Sequence, residues 1–193
     1  MASNITSLIV FLRNSGGLIF TPYATMRKIS LSSSRGELVC IFILSFIYFT
    51  ITNTVRFWFA GFLGAIGLFV ISITFFSLFP GQGSYWERVK RLTLTWSYTL
   101  VPTLLWFYST LLFYFLLPPP RTTSLLGHLF SIFYIAFSVS LLVWKLILVY
   151  FSIRFSLRVH LYRVIYYVLI YLTLSIPLWV TLYRMGISRI PFV

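Results

Sequence analysis

Hydrophobic residues fill five long runs of this chain, separated by short polar or cationic stretches. The runs lie at about residues 37–55, 57–79, 95–117, 124–150 and 164–183. Each is close to the roughly 20 apolar residues that a helix needs to cross a hydrocarbon core. The pattern predicts an all-α integral membrane protein with five transmembrane helices.

Residues 1–35 follow a different pattern. Ile5, Leu8, Ile9 and Leu12 recur at the spacing of one helix face. Gly16 and Gly17 are expected to break that helix. A second helix is expected to start at "TPYATMRK", with Thr21 as N-cap and Pro22 at the first helical position. These are read as two short amphipathic helices lying in the inner membrane interface.

Charge gives the predicted spans a direction. The chain holds 15 Lys and Arg against two acids, for a net charge of +13. In a soluble protein that balance points to nucleic acid. Here the cations flank apolar runs, and only 9% of residues are charged, against about 25% in soluble domains. The expected partners are membrane lipids with anionic headgroups, not nucleic acid. With the N-terminus inside, the inner segments hold Arg13, Arg27, Lys28, Arg35, Arg88, Lys90, Arg91, Arg154, Arg158 and Arg163. The outer ones hold Arg56, Arg121, Arg184 and Arg189. The excess of inner cations predicts a cytoplasmic N-terminus and a C-terminus outside. Arg88, Lys90, Arg91, Arg154, Arg158 and Arg163 are candidate contacts for headgroups or an acidic partner. Lys145 lies in the fourth run and is expected to snorkel to the inner interface.

Both acids sit in Ser-x-x-Glu patterns: Ser34 with Glu37, and Ser84 with Glu87. That is the spacing of a capping box, in which serine and glutamate satisfy each other's backbone N–H. Each box would open a helix that enters the bilayer from inside. With the acids so used, His128 falls near the outer start of the fourth run and His160 in the inner link between the fourth and fifth, a membrane thickness apart. No carboxylate pair, metal-ligating set or nucleophile–base pair emerges. The chain is read as a non-enzyme with no cofactor and no metal. The lone cysteine, Cys40, is read as a packing residue.

Ala60 with Gly64 and Gly61 with Ala65 stand four apart in the second run, followed by Gly67. Small residues at that spacing let helices approach closely. They suit either internal packing or a seam with a partner or a second copy. Pro102 and Pro177 are expected to kink the third and fifth spans. The link "GQGSYWERVKRL", Gly81 to Leu92, lacks the spacing of a phosphate loop and is read as a turn between spans with a capped helix start.

Several of these features coincide in one arrangement. A lead-in "TPYATMRKI" precedes five spans, "FPGQGSYWERVKRL" follows the second, and "SYTLVP" opens the third. This resembles the YIP domain family, the Ypt/Rab-interacting membrane proteins, in its compact prokaryotic type. The "DLYGP" signature and the long polar N-terminal region of the eukaryotic trafficking members are absent, and Ser97 stands where the family often has glycine. The resemblance implies an accessory or scaffold subunit of a membrane assembly, in a bacterial inner membrane or alternatively an endomembrane. A small transporter, channel or lipid-handling protein is the other reading that the kinked spans and basic links invite.

Overall fold

The computed structural model describes residues 2–32, 36–52, 58–116 and 124–184, and over these it is all-helical. Eight helices follow one another among the described residues: α1 (Ala2–Phe20), α2 (Pro22–Leu31), α3 (Gly36–Thr52), α4 (Trp58–Leu78), α5 (Tyr85–Tyr98), α6 (Val101–Leu116), α7 (Leu125–Leu157) and α8 (Leu161–Arg184). Helices α3, α4, α6, α7 and α8 fall on the five apolar runs.

The break in the N-terminal segment falls at Thr21, not at the paired glycines. α1 runs straight through Gly16 and Gly17. A glycine inside a helix costs about 1 kcal/mol relative to alanine. Phe11, Asn14 and Leu18 are buried around the pair, and that packing holds the helix together. Pro22 then stands in the first turn of α2, where its missing N–H is not needed. Thr21 occupies the N-cap position, but its hydroxyl donates back to the Gly17 carbonyl and caps nothing.

Two apolar clusters form the interior. One joins Phe11 and Leu18 of α1, Met26 and Ile29 of α2, Ile41 of α3, Leu94 and Tyr98 of α5, Leu104 and Phe107 of α6, and Leu148 of α7. The other joins Phe69, Ile73 and Phe76 of α4, Leu92 and Trp96 of α5, Val149, Ile153 and Leu157 of α7, and Val164 and Tyr167 of α8. The N-terminal helices therefore contribute to the main core. Leu8, Ile9 and Leu12 make up the outward stripe of α1.

Helix α5 enters both clusters through opposite faces. Its residues Leu94–Tyr98 are all buried, so its second half is central to the bundle and does not lie along a surface. Three hydroxyls tie it to α7: Thr95 Oγ1 is 2.8 Å from Ser152 Oγ and 2.6 Å from Ser156 Oγ. Beside them Phe76, Trp96 and Tyr171 pack ring to ring at 5.1–5.5 Å.

Pro102 does not kink a continuous third span. The helix ends at Tyr98, turns through Thr99 and Leu100, and restarts as α6 at Val101. Pro102 stands in the first turn of α6, where proline fits a helix. Pro177, by contrast, lies inside α8.

Helix α7 is 33 residues long, about 50 Å at 1.5 Å per residue. It is long and apolar enough to cross a membrane, and only 17% of its most apolar window is buried. Among the described residues it is the one single helix that is, with a second span if α2 and the start of α3 form one bent crossing. α7 ends on Arg158, which is left-handed at φ 52° and ψ 49°. Glycine adopts that conformation without the steric cost that a side chain brings. Arg158→Gly is therefore expected to stabilise the chain by about 0.5–1 kcal/mol. A rise in Tm would report it, and a fall in Tm would show that Arg158 contacts outweigh the backbone strain.

Candidate functional site: an interior cavity at a helix break

The break between α5 and α6 opens a cavity of about 60 Å³. Phe42 and Ser45 of α3, Phe69 and Ser72 of α4, Trp96, Thr99, Leu100 and Thr103 at the break, Lys145 of α7 and Tyr171 of α8 line it. A buried water needs about 10–15 Å³ on this measure, so the space holds about four waters or one small ion. A smaller pocket of about 10 Å³ lies on the other side of the Lys145–Thr103 contact, against Pro102, Trp106 and Ser138.

Lys145 does not snorkel. Its Nζ donates to Thr103 Oγ1 at 2.9 Å, inside the bundle. Helix geometry accounts for this: side chains lean toward the N-terminus of their own helix, here away from the end at Leu157. The pair is the first rung of a polar ladder between α6 and α7. Trp106 Nε1 donates to Ser138 Oγ at 3.0 Å, and the Thr110 and Tyr134 hydroxyls meet at 2.7 Å. The rungs advance by three or four residues along α6 and retreat by seven and four along α7, as antiparallel helices require. Trp106 thus has a partner within the bundle.

The two acids take different roles. Glu87 closes a capping box on α5: Ser84 Oγ accepts from the Glu87 N–H and Glu87 Oε2 from the Ser84 N–H, both at 3.3 Å. Glu37 reaches further than a local cap. Ser34, its expected partner, lies outside the described residues. The Glu37 carboxylate is fully buried and reaches across helices. Its Oε2 accepts from the Tyr98 hydroxyl of α5 and from Asn14 Nδ2 of α1 at 2.9 Å, while Oε1 is buried with no hydrogen-bond partner. Asn14 Nδ2 also lies 3.2 Å from Tyr98 Oη. The serine spacing concealed this role. Its only trace in the sequence is Asn14, a polar residue between Phe11 and Leu18 on one helix face.

The cations divide as well. Arg88 Nη1 donates to the Phe79 carbonyl at 2.7 Å, just past the end of α4, and Arg91 Nη2 to the Gln82 carbonyl at 2.6 Å. Both guanidiniums therefore brace the 79–82 link. Burial lowers the Arg91 pKa most, Arg158 lowers it further, and Glu87 opposes them. Arg154 donates to Tyr150 Oη and lies over the Tyr23 ring at 5.6 Å, fastening α2 to α7. Lys90, Arg158 and Arg163 are exposed. The side chains of Ala60, Gly61, Gly64 and Ala65 lie outside the described residues. Gly67 has open space where a Cβ would stand. His128 and His160 are exposed at opposite ends of α7.

No protein-family model matches the chain, no curated protein matches it, and no solved structure matches it.

Proposed function

We propose that the chain is a non-enzymatic five-span membrane protein that serves as an accessory or scaffold subunit of a membrane assembly, in the manner of YIP domain proteins. One observation carries this reading. Helix α7 turns Leu125, Leu129, Ile132, Phe133, Ile135 and Val139 outward, and α8 continues the apolar surface with Ile165, Leu169, Leu174 and Ile176. Contiguous apolar patches beyond a few hundred Å² mark contact with lipid or with another protein. A bacterial inner membrane is the proposed location. The exposed Lys90, Arg158 and Arg163 suit anionic headgroups at its inner face.

Gentle detergent extraction and identification of co-purifying chains tests the proposal. Stoichiometric recovery of at least one other integral membrane protein is the expected result. Recovery as a lone monomer under every mild condition would sink it.

A second reading, a small transporter, channel or lipid-handling protein, is favoured by one feature: the cavity at the α5–α6 break beside Lys145. Unwound helix segments line substrate sites in many transporters.

A further inference from the structure

We propose that the cavity beside Lys145 binds one small monovalent anion, a halide or a carboxylate of formate size. Three observations carry the assignment. First, an ammonium group and several hydroxyls converge on one space. Lys145 and Thr103 line it together, 2.9 Å apart, and Ser45, Ser72, Thr99 and Tyr171 complete its polar lining. The Ser45 and Thr99 hydroxyls donate to carbonyls of their own turns, Ile41 and Trp96, and each can swing that donor to an anion by rotation.

Second, the lining holds no carboxylate. The chain has two acidic side chains, Glu37 and Glu87, and both are engaged elsewhere, one with Asn14 and Tyr98 and one in the cap of α5. A cation entering the cavity would meet the charge of Lys145 at close range. An anion would offset the cost of holding that charge among Phe42, Phe69, Trp96 and Phe107. Third, the size suits such a ligand. Space for about four waters admits a halide or formate.

The assignment concerns binding and goes beyond both functional readings. It stands whether the anion is carried across the bilayer or held as part of the structure.

Chloride-35 NMR line broadening by the full chain in zwitterionic nanodiscs tests it. Wild-type protein is expected to broaden the chloride line, and added formate to reverse the broadening at constant ionic strength. Lys145→Met should weaken chloride at least tenfold. Thr103→Val, which keeps the charge, should weaken it a few-fold and guards against a misfolded lysine variant. Lys90→Met, on the exposed face of α5, should leave binding unchanged. Three results overturn the site: no broadening by the wild type, wild-type broadening by the folded Lys145→Met protein, or an equal loss in Lys90→Met. Chloride flux from liposomes separates the readings: binding without flux keeps the site and removes the channel.

Discussion

Replacing Tyr98 with alanine is expected to lower the unfolding free energy by about 3–5 kcal/mol. Tyr98 is fully buried in the cluster that joins α1, α2, α3, α5, α6 and α7, with its ring 6.1 Å from Phe11. Truncation leaves a cavity there and strips the Glu37 carboxylate of its hydroxyl donor. Tyr98→Phe separates the two effects. It keeps the ring and removes only the hydroxyl, and should cost about 1–3 kcal/mol. Denaturant titration of the purified chain, followed by circular dichroism, measures both. Equal losses in the two variants would mean that the hydroxyl is the whole contribution. A negligible loss in Tyr98→Phe would mean that Glu37 does not need its donor.

Gly81→Ala is the second large effect. A Cβ at Gly81 would stand 2.7 Å from the Leu157 carbonyl oxygen and 3.2 Å from Leu157 Cα. These are backbone atoms, which cannot swing aside. The link must move, and the bond from the Gln82 N–H to the Leu157 carbonyl, 2.9 Å long, goes with it. Arg91 then loses its hold on the Gln82 carbonyl. The expected loss is about 2–3 kcal/mol, from overpacking plus a severed contact. Faster proteolysis at the link, against an unchanged rate in Gln82→Ala, would report it. Equal protease resistance in wild type and Gly81→Ala would show that the link is free of α7.

The sequence made the five apolar helices legible, because burial in core or lipid leaves long runs; four of them end near Thr52, Leu78, Leu116 and Arg184, and α7 continues past the fourth run to Leu157. It blurred the α5–α6 break, since Thr99 and Leu100 carry no glycine and Pro102 signals a kink as readily as a start. The link at Gly81 was legible as a turn, but its docking on Leu157 was not: that contact spans 75 positions, and nothing local encodes it. Glu37 shows the same limit. A capping spacing is a local pattern, and the residues that hold the carboxylate come from α1 and α5. Lys145 was expected to reach the inner interface, but α7 runs on to Leu157 and the side chain leans toward its own N-terminus to meet Thr103.

Helix α7 is a stiff rod, and two sites sit on it at different heights. Lys145 lies at the cavity, and Leu157 grips the link through its carbonyl. Twelve residues separate them, about 18 Å at 1.5 Å per residue, so a pivot of about 5° at the cavity sweeps the lower end by about 1.6 Å. That displacement exceeds the play in a hydrogen bond. The rod thus joins the inside of the bundle to its exterior turn: a tilt of α7 at Lys145 would draw the Leu157 carbonyl away from the Gln82 N–H.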